Sequence, residues 1–103
     1  MKQFLAYLDD KAAQLRVESV QLSADDCRDE SNLTKIRANV YGICKSVLQV
    51  QGIGKAKVIL TGLHDTWSKN LEMARVHDDA KQAIIEEIKL ETLAEIQEAL
   101  EGV

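Results

Sequence analysis

Proline is absent from this sequence, and with it the residue that most strongly interrupts a helix. Aromatic residues are scarce, limited to Phe4, Tyr7, Tyr41 and Trp67. Two cysteines, Cys27 and Cys44, are too few for a disulfide scaffold and lack metal-ligand spacing, so both read as free thiols in helical segments. No apolar run approaches the roughly 18 residues of a membrane span. The opening MKQFLAYLDD lacks the apolar core of a signal peptide. These absences lead to the expectation of a reducing, cytoplasmic compartment and no membrane partner. Two histidines in the whole chain leave little for a metal site.

What is present is helix-forming. Ala, Leu, Lys, Glu and Gln abound, residues that lose little side-chain freedom in a helix. With 46% hydrophobic and 29% charged residues over 103 positions, the chain suits one globular domain rather than a disordered segment. The charge is unevenly placed. Residues 31–64 contain Lys35, Arg37, Lys45, Lys55 and Lys57 and no acid, whereas the net charge of −4 comes from the acidic flanks. Basic segments from the middle of the chain can therefore lie beside acidic ones from its ends, each exposed pair contributing about 0–1 kcal/mol.

The apolar positions repeat at threes and fours. Phe4, Leu8, Ala12, Leu15, Ser19 and Leu22 form one stripe of an amphipathic helix over about 2–24. Asp25, Asp26, Asp29 and Glu30 then mark a turn and the next N-terminus, where carboxylates oppose the helix dipole. A second stripe, through Leu33, Ile36, Val40, Ile43 or Cys44, Val47 and Val50, predicts a helix over about 26–51 that ends at Gly52 and Gly54. A third set, Ala56, Ile59, Leu63, Trp67, Leu71 and Ala74, predicts a helix over about 55–76. Gly62 interrupts that set and Asp65 could cap a fresh start, so it reads either as one helix or as a short one followed by another. His77-Asp78-Asp79 suits a turn with an aspartate N-cap, and the last helix, about 79–101, runs through Ile84 or Ile85, Ile88, Thr92, Ile96 and Ala99 or Leu100. The expected fold is all-α, an antiparallel bundle of about four amphipathic helices burying their stripes together in a single domain, 1–103.

One short stretch raises a functional question. In Val47-Leu48-Gln49-Val50-Gln51-Gly52-Ile53-Gly54, with Val58 beyond, the chain resembles the helix-hairpin-helix motif of DNA-binding and repair proteins. The resemblance implies non-sequence-specific contact with a nucleic-acid backbone at Gly52, Ile53, Gly54, Lys55 and Lys57. Glycines would let the backbone approach a phosphate and the lysines would supply charge. Gln51 stands where that motif often has proline, and the protein as a whole is acidic. The stretches DESNLTKIRANVYGICKSVLQV (29–50) and WSKNLEMARVHDDAKQAIIEEIKLETLAEI (67–96) resemble a group of small, uncharacterised bacterial all-helical proteins. That resemblance implies a helical bundle and carries no activity.

Enzymatic patterns are incomplete. His64-Asp65 and His77-Asp78 lack the further ligands of a metal-dependent His-Asp hydrolase and sit at predicted helix ends, where they serve as capping residues. Glu86, Glu87, Glu91 and Glu95 resemble half of the paired acidic motif of helical, magnesium-dependent nucleotide pyrophosphatases. Only Asp26, Asp29 and Glu30 could supply the other half, and a solvated acidic face is the simpler reading. No serine elbow and no phosphate loop occur. The expectation is thus a non-enzymatic protein without cofactor or metal that acts through protein–protein association. A homodimer built from surplus apolar positions such as Leu5, Val20, Leu90 and Leu93 is the form expected, with an unidentified protein as the other kind of partner. The alternatives are a nucleic-acid-binding module and a small magnesium-dependent nucleotide hydrolase.

Overall fold

A computed structural model describes residues 2–103, and among them all regular structure is helical. Three helices follow one another: α1 (Lys2–Ala24), α2 (Arg28–Val76) and α3 (Ala80–Glu101). The expected count of four is corrected to three. What reads in the sequence as a junction between 26–51 and 55–76 is a bend inside α2, because Gly52 alone leaves helical geometry, with φ 77° and ψ 169°. Of the two readings open at Gly62, the single helix is the one found. Helix continues through it, and Thr66 Oγ1 donates to the Gly62 carbonyl at 3.0 Å from the next turn.

The bend is large. A straight α2 of 49 residues would be about 74 Å long, yet the longest dimension of the molecule is 37 Å. Side-chain pairings give the directions. On the first limb of α2, 28–51, Ser31 meets Ser19 and Lys45 meets Asp9, so α1 runs antiparallel to it. Arg37 and Tyr41 meet Glu91 and Glu95 in the same chain order, so α3 runs parallel to that limb. On the second limb, 53–76, Trp67 meets Lys89 and Arg75 meets Glu87 in opposite order, so α3 runs antiparallel there. The two limbs thus fold back on each other with α3 against both.

The turns between helices follow local chemistry. Asp26 and Asp78 hold positive φ, 68° and 54°, which short polar side chains tolerate better than most. Asp79 caps α3 as expected, its carboxylate accepting the Gln82 amide at 3.1 Å. Asp29 and Glu30 occupy the first turn of α2, whose N-cap is Cys27 without a side-chain bond. Two predicted pairings of basic middle and acidic ends form, Lys45–Asp9 at 2.6 Å and Arg37–Glu91 at 3.8 Å.

One core joins all segments: Phe4, Leu8 and Ala12 from α1, Val40, Tyr41, Cys44 and Leu48 from the first limb, Ala56, Leu60 and Trp67 from the second, and Leu93, Ile96 and Leu100 from α3. Near the first turn, where α1 and α2 converge, the contact is polar. Ser31 Oγ donates to the Ser19 carbonyl at 2.8 Å, and Ser19 Oγ returns a bond to the Ser31 carbonyl at 3.1 Å. Small side chains permit that approach, and reciprocal bonding satisfies both buried hydroxyls.

Candidate functional site

The glycine stretch does not form the hairpin loop that the helix-hairpin-helix resemblance implies. Gly52 is the single non-helical residue, and Gly54 already lies inside the second limb, exposed. Ile53 packs against the core, while Lys55 and Lys57 are exposed and form no ion pair among the described residues. Val58, which the motif would pack against its partner helix, is instead 73% exposed. Lysines on an exposed bend are therefore present, but the packing that the resemblance implies is not.

The acidic residues also part company. Glu87 pairs with Arg75 at 3.0 Å, Glu91 with Arg37, and Glu95 accepts from the Tyr41 hydroxyl at 3.5 Å. Asp26, Asp29 and Glu30 lie exposed by the α1–α2 turn. Among the described residues no three His, Cys, Asp or Glu side chains converge as a metal ion would need. His64, expected at a helix end, sits inside α2 and is half-buried, whereas His77 does follow the helix as its C-cap. Glu86 differs from its neighbours: it is buried, in register with Lys89, Leu93, Ile96 and Leu100 at spacings of three and four.

Neither thiol shows an activating contact. Burial pushes the Cys44 thiol up to about 12, and Cys27 is half-buried with Sγ 3.7 Å from the Asp25 carbonyl. Tyr41 is raised above the usual phenol range, first by burial and then by Tyr7 and Glu95. A group with a raised folded pKa adds stability that is complete below its unfolded value and is lost as pH rises through the folded one. Stability is therefore expected to fall from about pH 9 upward as Cys44 and Tyr41 come to favour the unfolded chain. In a thiol-reagent time course at neutral pH, Cys27 should react first and Cys44 only at the unfolding rate. Equal native rates would contradict the burial of Cys44.

Of the expected self-association residues, Leu93 is fully buried in the core and so unavailable to a partner of the folded chain. Leu5 and Leu90 are half-buried against the core, and only Val20 stands clear of it. The apolar concavity lies elsewhere, between the start of the first limb and the start of α3. It encloses about 440 Å³, its walls are Leu33 and Ile36 on α2 and Ile84 and Ile85 on α3, and Asp29 and Lys81 stand one on each wall. Ile84 is 48% exposed there. The signal in the sequence was the doubled Ile84-Ile85, where one isoleucine sufficed for the stripe.

Among the described residues no helix is long and apolar enough to cross a membrane. No protein family, curated protein or solved structure matches this chain.

Proposed function

We propose that this protein acts by self-association, a second copy covering the groove between α2 and α3. The observation that supports this is the groove itself, an apolar channel in which four aliphatic side chains from two helices stand together, open to solvent. Its rim favours a copy of the same chain over an arbitrary partner. With Asp29 on one wall and Lys81 on the other, a two-fold axis running along the groove sets each acid on the side of the other copy's base. A standard interface takes about 800 Å² from each partner. The surface of this chain is 6556 Å², so such a contact would use only a modest share of it.

Sedimentation velocity over a wide concentration range tests the reading. The chain should sediment as a concentration-dependent dimer, and Ile84→Glu should shift it to monomer without lowering the melting temperature measured at dilution, where the wild-type chain is monomeric too. Asp29→Lys should weaken the dimer, and Lys81→Asp in the same chain should restore it. A monomer at every concentration would end the proposal.

A further inference from the structure

Among its 49 residues α2 departs from helical geometry at one position, Gly52. We propose that Gly52 is a hinge, and that α2 straightened there carries its second limb and α3 onto a second copy of this chain, giving an exchanged dimer. This association is separate from the groove and does not rest on it.

The chain divides at Gly52 into two helix hairpins, each held by its own contacts. In the first, α1 and the 28–51 limb are joined by the reciprocal Ser19–Ser31 bonds and by Lys45–Asp9 at 2.6 Å. In the second, the 53–76 limb and α3 are joined by Arg75–Glu87 at 3.0 Å and by Lys89 over the Trp67 ring. Between the hairpins stand Arg37–Glu91, Tyr41–Glu95 and the shared core. A second copy presents the same residues, so every one of these contacts can form between chains as it forms within one. Exchange therefore loses no side-chain contact and restores helical geometry at the hinge.

Glycine keeps the two forms in balance. A φ of 77° carries no steric penalty for it, while a place inside a helix suits it poorly, so a lone chain stays closed. Exchange needs a second copy and rises with concentration. A connection of one residue is also the shortest possible hinge, and short hinges under strain favour exchange. Neither Gly52 nor Gly54 has a side chain to obstruct two straight helices crossing there.

The surface beside the hinge points the same way. Val50 at 77% and Val58 at 73% are the two most exposed large apolar residues among those described. On a straight α2 they fall with Ile43 and Gly54 on one face, at successive spacings of seven, four and four. The bend breaks that stripe in the closed chain. In the exchanged dimer two such stripes meet where the helices cross, which gives the exposed valines a partner.

The test uses the Ile84→Glu, Cys27→Ser chain, so that neither groove association nor the more accessible thiol contributes. Spin labels at Lys35→Cys and Lys69→Cys replace exposed residues equally far along the chain from Gly52. Labelled chain is mixed with excess unlabelled chain before refolding, so that only distances within a chain are read. A straight helix sets the labels about 51 Å apart. The closed chain, 37 Å in its longest dimension, holds them much nearer. Gly52→Ala strains the closed form, so in concentrated solution it should raise the dimer fraction by roughly tenfold or more, and the dimer should show the long distance. In dilute solution the same strain only weakens the closed chain. Gly54→Ala, helical in both forms, should leave the dimer fraction unchanged. A Gly52→Ala chain that stays monomeric when concentrated, a dimer that keeps the short distance, or an equal rise with Gly54→Ala would each overturn the proposal. If Gly52→Ala does not fold, the chain with Gly52 intact is refolded from denaturant at high concentration instead: a dimer with the long distance supports the hinge, and absence of that distance overturns it.

Discussion

Gly52→Ala is expected to lower the unfolding free energy by roughly 1–3 kcal/mol, because φ 77° with ψ 169° falls in a region that side-chain-bearing residues essentially never occupy. The cost comes from the backbone alone, since an added Cβ would meet nothing within 4 Å. For a domain of this size, each kcal/mol corresponds to roughly 4–8 °C in melting temperature. Gly54→Ala, two residues on, should act in the opposite sense. Gly54 is helical and exposed, and an added Cβ there also meets nothing, so alanine should stabilise by roughly 0.5–1 kcal/mol. Denaturant unfolding of both variants checks the pair. Opposite signs would establish that α2 bends at one residue, whereas losses at both would return the stretch to a true hairpin loop with two constrained glycines.

Leu60→Ala should be the more damaging of two truncations on the second limb, costing about 2–5 kcal/mol. Leu60 is fully buried among residues from the other segments, so its removal leaves a cavity that the neighbours fill only in part. Against a typical total of about 5–15 kcal/mol, that is a large share of the stability. Val58→Ala, two residues earlier and mostly exposed, should change stability by no more than about 0.5 kcal/mol. Chemical denaturation read by Trp67 fluorescence measures both, and comparable losses would show that the second limb is turned differently about its axis.

Leu60 also marks a limit of the sequence reading. The expected third stripe ran through Ala56, Ile59 and Leu63; the structure buries Ala56 and Leu60 and leaves Ile59 exposed. Neighbouring residues on a helix differ by about 100° in direction, so two adjacent apolar side chains fit the same period almost equally well. The first limb shows the same ambiguity. Of the pair Ile43 or Cys44 the structure buries the cysteine, and Val50 fitted the stripe but is exposed, while Tyr41 and Leu48 are buried. On α1 the stripe residues Phe4, Leu8, Ala12 and Ser19 were legible and are buried.

The groove and the burial of Glu86 lay further from the sequence's reach. Leu33, Ile36, Ile84 and Ile85 are ordinary stripe residues until α3 is placed against the first limb, some fifty positions away in the chain. Glu86 reads as one of four glutamates on a solvated face until its spacing to Lys89, Leu93, Ile96 and Leu100 is matched to a neighbouring helix.

By itself the sequence determined what is local: helices from composition and periodicity, the Asp79 cap, the polar turns at 25–27 and 77–79, and the acid-free basic middle. Capping, dipole and periodicity act within one or two turns of chain and so are written there. Tertiary structure decided what depends on partners distant in sequence. It chose which of two adjacent apolar residues faces inward, and it placed Glu86 inside. It also made Gly52 a bend rather than a loop, since folding the two limbs together buries apolar surface that a straight helix of this length would expose to water.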